Sequence, residues 1–373
     1  MARTGYDEVV LLTGFPSFAA RRMCDELLEG PRTFVHAIVR AKFAEDAGAA
    51  LDGLPLEKRQ RVHLIEGDAT SMDLGLSGAE FRELAGEVDI IHHCAQASYL
   101  GIDRATAMQM NVGGAREVLE FAEAARGLRM LVFHSTALVS GDRTGIVHED
   151  DLRTGQSFRN VVEETKARAE KMMRAAMPKV PIAVLRPAMI VGDSATGEVD
   201  RFDGPYLLIL LLVTSPPDFA LPLPGRGDAP LHLVPIDYVV RAARVIGRDP
   251  RAAGRTFHVV DPAPLTARQV FELVARVGGR RVPRGFIPAG LTKALLRTPG
   301  LDRFAKSPRA FLDALGTHVT YDCRNTEELL AGTDIRCPRF EDYVERLVDY
   351  VQVRLREKRA ERVRAAELDD PLA

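Results

Sequence analysis

Two short stretches of this chain hold groups that could do chemistry at one site. His134-Ser135-Thr136 sets two hydroxyls directly after the apolar run Met130-Leu131-Val132-Phe133. Lys166 stands thirty residues beyond Thr136, within Asn160-Val161-Val162-Glu163-Glu164-Thr165-Lys166-Ala167. A hydroxyl can hold a substrate oxygen, and an amine can bind hydroxyl groups or support negative charge as it develops on oxygen.

The elements that must position these groups can be read from periodicity. Residues 130–133 form a wholly apolar run, as in a buried parallel strand. From Asn160 onward the pattern is helical, with Lys166, Ala169, Met173 and Met177 on one side. In an open α/β sheet, ligands bind beyond the carboxyl ends of the strands. The hydroxyls and the amine therefore face one crevice.

The rest of the chain repeats strand and helix. Val9-Val10-Leu11-Leu12 is a short apolar strand, followed by Thr13-Gly14-Phe15-Pro16-Ser17-Phe18-Ala19-Ala20 and a helix through Leu28. A strand, a glycine turn and a helix make a place where a dinucleotide pyrophosphate rests on a helix N-terminus. The glycine pattern is altered: Ser17 and Ala20 follow Gly14 at steps of three. Serine narrows the approach of a phosphate to the backbone but offers a hydroxyl, and alanine is a tolerated small residue. An ordinary strand-to-helix turn without a nucleotide is the alternative.

Residues 34–39 read as a second strand ending at Arg40. An arginine there suits a ribose 2′-phosphate, so Arg40, with Lys42, favours NADP(H), with NAD(H) the alternative. Val62 to Asp68 is a third strand, and Asp68 is placed to accept from an adenine amino group. Val88 to Ala95 is a fourth, ending in small residues that let a cofactor lie against the backbone. His92 and His93 are adjacent and so face opposite sides of that strand, which argues for packing and against a shared metal. Cys94 reads as a small apolar filler. Asn111-Val112-Gly113-Gly114 leads into a helix through Arg126, and Ile182 to Pro187 is a sixth strand. The expected fold is α/β, a Rossmann-type doubly wound parallel sheet with a smaller C-terminal substrate lobe.

After Pro187 the texture changes. Gly192 to Gly197 is a loop, Tyr206 to Val213 is apolar, and Ser215 to Gly227 is rich in Pro and Gly. The apolar run fits a lipophilic pocket wall or a buried helix. Asp237 is a candidate N-cap for a helix through Val240, Thr256 to Val260 is a further strand, and Thr266 caps a helix to Val277. Residues 279–320 are basic and irregular, with short helices expected. From Phe340 the chain is helical to about Glu367, apolar-striped in its first half and charged in its second. The expected boundaries are 8–190 for the cofactor domain, 191–352 for the lobe, with the strand near 256–260 returning to the sheet, and 353–373 for a charged tail.

Composition excludes several classes. With 50 basic and 52 acidic residues, the net charge of -2 argues against nucleic acid as a partner. The longest apolar run has eight residues, against the roughly 20 that a membrane span needs. The four cysteines lack metal-ligand spacing, and no signal-peptide core opens the chain, so a reduced, cytoplasmic setting is expected.

These stretches together resemble the extended short-chain dehydrogenase/reductases, and within them the thioester reductase and male-sterility-type fatty acyl reductase branch. The residues that bear the resemblance are Gly67-Asp68, Leu74-Gly75-Leu76-Ser77, Ile91 to Ala95, Asn111-Val112, Phe133 to Ala137, and above all Arg186-Pro187 through Phe202-Asp203-Gly204-Pro205-Tyr206. Val234 to Val239 and Arg336-Cys337-Pro338 with Tyr343 also fit, so the likeness covers about residues 8–352. The resemblance implies hydride delivery from NAD(P)H to a carbonyl or thioester carbon of a lipophilic biosynthetic intermediate, or of a carrier- or CoA-bound acyl group. It implies Thr136 as the hydroxyl on the substrate oxygen, with Ser135 beside it, Lys166 on the nicotinamide ribose and Asn111 near the relay. The residues it sets against the cofactor are Gly14, Phe15, Ser17, Phe18, Arg40, Asp68, Ala69, Cys94, Ala95, Lys166, Pro187 and Ile190.

The chain departs from that pattern four residues before Lys166, where Val162 replaces the tyrosine that would protonate the oxygen. A positioned acid contributes roughly 10²–10⁴-fold, while the cofactor supplies the hydride. Thr136, Ser135, Lys166 through a water, or Tyr206 from the later lobe are the candidate replacements, and Val162 and Tyr206 are expected at the substrate. Two other readings remain at this stage: a pseudoenzyme that binds a nucleotide or a protein, and a nucleotide-sugar epimerase or dehydratase. The sequence also allows a homo-oligomer.

Overall fold

The structure is a computed structural model that describes residues 5–98, 101–202, 204–215, 223–224, 226–282, 285–287 and 315–368. Asp203, most of the Pro- and Gly-rich loop after Ser215, and most of the basic stretch 279–320 lie outside the described residues.

Seven strands form one parallel sheet: β1 (Glu8–Thr13), β2 (Thr33–Val39), β3 (Val62–Glu66), β4 (Ile90–His93), β5 (Met130–His134), β6 (Ile182–Pro187) and β7 (Thr256–Val259). Their order is β7-β6-β5-β4-β1-β2-β3. The main helices are α1 (Phe18–Leu27), α2 (Gly78–Glu87), α3 (Gly114–Ala124), α4 (Val161–Ala176), α5 (Pro205–Thr214), α6 (Ile236–Arg248), α7 (Ala267–Val277) and α8 (Phe340–Leu368). The order reverses between β1 and β4, and such a switch point opens a crevice at the carboxyl ends of the strands. The doubly wound α/β sheet expected from the sequence is present.

Both faces of the sheet are covered, which is why its strands read as continuous apolar runs. Val9, Leu11, Ile91, Leu131 and Phe133 pack with Val118 and Phe121 of α3 and with Ala169 and Met173 of α4. On the opposite face α6 approaches closely. A side chain at its Gly247 would lie 3.0 Å from Val132 and 3.1 Å from His92.

The chain divides into two compact units, one of Met1–Ala188, Ile236–Pro262 and His318–Cys337, the other of Met189–Pro235, Ala263–Thr317 and Pro338–Ala373. Residues 318–337, set in the later lobe by the sequence reading, thus group with the sheet. In the second unit, α5, α7 and α8 share a core of Tyr206, Leu210, Phe271, Val274, Tyr343 and Leu347. No break separates residues 353–368 from the helix before them, because α8 is continuous.

One local expectation changes. Asp237 lies inside the first turn of α6, which starts at Ile236, and is not its cap. Asn111 leads into α3 as expected, from inside a π-helical turn, Met108–Gly113, and α3 ends at Ala124. Thr266 does cap α7, through a reciprocal pair with Gln269. Asn160 likewise caps α4, accepting from the Glu163 N–H at 2.9 Å.

Candidate active site

The turn after β1 meets the end of β4. Gly14 has φ +90°, and a Cβ there would fall 2.7 Å from the Ala95 nitrogen. Only glycine allows this turn to pass directly over Cys94 and Ala95. Thr13 locks the two strand ends together: its hydroxyl accepts from the Ala95 N–H at 3.2 Å and lies 2.9 Å from His93 Nδ1. His92 on the other face meets His134, with Nδ1 to Nε2 at 3.1 Å. The two adjacent histidines therefore have separate partners on opposite sides.

Ser17 precedes α1, is exposed and makes no capping bond with its hydroxyl. The first turn of α1 holds no acidic residue. Phe18 is half-buried, while the Phe15 side chain is buried, so only the backbone of Phe15 is available to a ligand. Arg40 follows β2, and its Nε lies 3.0 Å from Asp68 Oδ2. The other oxygen of Asp68 accepts from the N–H and hydroxyl of Thr70, at 2.9 and 2.8 Å. Ala69 is buried, and Cys94 and Ala95 are half-buried. Burial pushes the Cys94 thiol up to about 12, and the Lys166 charge only partly offsets this, so the thiol is not a nucleophile.

Lys166 is 7 % exposed. Its amine makes no hydrogen bond or ion pair among the described residues. Burial lowers it from 10.5 to about 8. The positive charge is felt by His93, Cys94 and His134, at or just beyond the ends of β4 and β5, and the adjacent Thr165 is tied through Asn111 to the loop after β4. Burial and that charge hold His134 neutral, down to about 3. Burial without a carboxylate partner is costly for an amine and is typical of functional sites.

The other candidates sort differently. Asn111 is fully buried: its Oδ1 accepts from the Ala97 N–H at 2.8 Å, and its Nδ2 donates to Thr165 Oγ1 at 2.9 Å. It tethers α4 to the loop after β4. Thr136 is half-buried, and its hydroxyl makes a long 3.4 Å contact with the Pro187 carbonyl. Pro187 is itself buried at the end of β6. Val162 is buried on α4, one turn before Lys166.

Two expectations are corrected. The Ser135 hydroxyl donates to Glu170 Oε2 at 2.6 Å, so it is engaged in the core and not offered to a substrate. Tyr206 is 1 % exposed in the core of the second unit, and its oxygen accepts from the Gly192 N–H at 2.7 Å. Burial raises its phenol, and the described part of the apolar run around it is core. The run thus stops being an argument for a lipophilic pocket. Ile190 also belongs to the second unit, half-exposed on a short strand.

A buried polar network escaped the sequence reading. Arg186 binds Glu170 through Nε at 3.0 Å to both oxygens, and Glu170 in turn accepts from Ser135. Arg186 also reaches the Asp151 carbonyl at 2.8 Å and His258 Nε2 at 3.2 Å. Since an arginine can only donate, His258 Nε2 accepts, and its Nδ1 donates to the Asp322 carbonyl at 2.7 Å. Glu149 accepts from the N–H groups of His258 and Asn325, at 2.9 and 2.7 Å. This ties residues 318–337 to the edge of the sheet. Burial raises the Glu149 carboxyl to about 7 despite those donors. Arg186-Pro187 was the one signal, read as a motif and not as a buried cation.

The residues at the crevice fit a dinucleotide. A glycine turn over small strand ends, a helix N-terminus with an unused serine hydroxyl, an arginine at the end of β2 and an unpartnered buried amine each match one part of such a ligand.

Comparison with known proteins agrees. Over residues 12–243 the chain matches the family model described as male sterility protein, an NAD-binding family. It is 25 % identical over 369 residues to a linear gramicidin synthase of Brevibacillus parabrevis, covering 92 % of this chain and 7 % of that protein. It is 24 % identical over 277 residues to the fatty acyl-CoA reductase wat of Drosophila melanogaster, covering 63 % of this chain and 53 % of that one. The chain thus spans from a small part to about half of these relatives. Among solved structures, the terminal R domain of the myxalamid PKS-NRPS pathway superposes with a TM-score of 0.80 at 24 % identity, covering 94 % of this chain and 92 % of that one. No helix among the described residues is long and apolar enough to cross a membrane. With the parallel sheet, the switch-point crevice and the family match in agreement, the chain belongs to the male sterility protein family, an NAD-binding family.

Proposed function

We propose that this chain reduces an acyl thioester to an aldehyde and a thiol, with NADPH as the favoured reductant and a carrier- or CoA-bound acyl group as substrate. The observation that supports this most is Lys166, a buried amine without a partner at the carboxyl ends of β4 and β5. Nothing in the packing requires a cation there. The relatives add weight, since two of them are a fatty acyl-CoA reductase and the R domain of a biosynthetic pathway.

A nicotinamide dinucleotide, when bound, supplies the hydride. The protein's part is to bind, orient and manage charge. The N-terminus of α1, with Gly14 and the Ser17 hydroxyl, holds the pyrophosphate. Asp68 and Arg40 hold the adenosine end, the arginine taking a 2′-phosphate. Lys166 holds ribose hydroxyls. Thr136 directs its hydroxyl to the substrate oxygen, its contact to Pro187 at 3.4 Å being long enough to exchange. Val162 keeps the space before Lys166 apolar.

The test is to incubate the purified chain with NADPH and a long-chain acyl-CoA, then trap aldehyde. The expected result is loss of reduced nicotinamide matched mole for mole by trapped aldehyde. Cofactor binding without turnover of an acyl-CoA, an acyl-pantetheine or an activated ketone contradicts the proposal and leaves a nucleotide-binding module.

A further inference from the structure

The reaction needs a proton as well as a hydride, and the tyrosine position is Val162. The described polar groups at the crevice can be taken in turn. Ser135 has its hydrogen on Glu170. Asn111 uses its amide on Ala97 and Thr165. Thr13 is held between His93 and the Ala95 N–H. His93 and His134 are neutral imidazoles at working pH, held so by burial and the nearby Lys166 charge. Cys94 is a thiol whose acidity burial suppresses. Among the phenols of this unit, Tyr321 is bound to Ser140 at 3.0 Å. Thr136 can orient an oxygen, but its hydroxyl is too weak an acid to give up a proton for good. The Gln96 amide, His93 Nε2 and the Ser17 hydroxyl also lack partners, but none of them is a cation that can release a proton; among the described residues at the crevice, Lys166 is the unpartnered cation.

We propose that Lys166 itself protonates the substrate oxygen, taking over the role of the missing phenol. This rests on the reductase reading above. Hydride from the reduced nicotinamide adds to the carbonyl carbon, and the C=O electron pair moves to oxygen. An N–H bond of the Lys166 ammonium breaks as an O–H bond forms, leaving a neutral amine and a hemithioacetal. The hemithioacetal expels the thiol to give the aldehyde, and solvent returns a proton to Lys166. One thioester, one reduced nicotinamide and one proton give one aldehyde, one thiol and one oxidised nicotinamide.

The surroundings suit this role. The groups that feel the Lys166 charge are His93 at the end of β4, Cys94 just after it and His134 at the end of β5, all uncharged. On its own helix, Glu163 bonds the Arg159 N–H and Asn160, while Glu170 is committed to Ser135 and Arg186. The neighbouring π-helical turn brings only the neutral Asn111. No carboxylate therefore holds the ammonium at its ordinary acidity, and an acid of near-neutral strength results.

Two readouts test the proposal, the first independent of turnover. In the free protein carrying lysine labelled with ¹³C at the ε position, one resonance should titrate near pH 8 and vanish in Lys166→Arg. Arginine keeps the charge and the donors but cannot release a proton. With NADPH and an acyl-CoA, Lys166→Arg should bind cofactor within about tenfold of the parent and lose roughly 10²–10³-fold in kcat. The parent kcat should fall as pH rises through the midpoint read by resonance. Retained cofactor binding in the variant shows that it is folded. A variant kcat within about tenfold of the parent, or a pH limb unrelated to the lysine titration, overturns the proposal while leaving the reductase reading intact. A parent that turns over no thioester overturns both.

Discussion

Asn111 and Thr165 are joined by a 2.9 Å hydrogen bond from Nδ2 to Oγ1, one residue before Lys166. The same Asn111 side chain accepts from the Ala97 N–H on the loop leaving β4. A π-helical turn, a strand exit and α4 are thus pinned at one buried amide, which fixes the direction in which Lys166 leaves its helix. Asn111→Ala would leave the buried Ala97 N–H without an acceptor and remove the donor to Thr165, whose hydroxyl keeps its bond to the Val161 carbonyl at 2.7 Å. The expected cost is about 2–3 kcal/mol of stability with a fall in kcat, read by chemical denaturation and by turnover of an acyl thioester.

Lys166→Met should make the protein more stable and inactive. The folded-state value of Lys166 is near 8 against 10.5 in the free side chain. Below pH 8 both states hold the proton, and the fold bears the full cost of burying a cation, about 3 kcal/mol at 1.36 kcal/mol per unit. Between pH 8 and 10.5 the unfolded chain keeps a proton that the folded chain has lost, so parent stability rises with pH across that window. The advantage of the methionine variant should shrink over the same window. Thermal unfolding of both proteins at pH 7 and pH 10 measures it.

Ser135 and Thr136 are neighbours with different tasks. Ser135→Ala removes a donor from Glu170 and should cost about 1–3 kcal/mol while kcat stays within about threefold. Thr136→Ala should leave stability within about 1 kcal/mol and lower kcat by about tenfold or more. Urea unfolding and steady-state kinetics on the pair separate the two roles.

Arg40 commits its Nε to Asp68 and has its remaining donors free among the described residues. Arg40→Ala should weaken NADPH by about tenfold or more and leave NADH within about twofold. Equal losses for both cofactors would remove Arg40 as the 2′-phosphate contact.

Much of the fold is legible in the chain because its signals are local. The apolar runs of β1, β4 and β5 announce strands buried on both faces, and Thr266 with Gln269 announces the start of α7. Gly14 marks the turn over β4, and Lys166 with Thr136 marks the crevice. What the sequence hides is partnership at a distance. Ser135, Glu170, Arg186 and Glu149 meet in the core from 16 to 37 residues apart, and Glu149 then reaches Asn325, 176 residues away. Each reads alone as an ordinary polar residue. Ser135 looked available for chemistry because its acceptor lies two helical turns into α4. Tyr206 misled for the converse reason: a phenol beside an apolar run resembles a pocket wall until the run is packed against α7 and α8.

The most direct test of the whole account is a titration of the purified protein with NADPH and with NADH, following nicotinamide fluorescence. The account predicts saturable binding of NADPH in the micromolar range, with NADH weaker. Absence of binding for both cofactors up to millimolar concentration would contradict it.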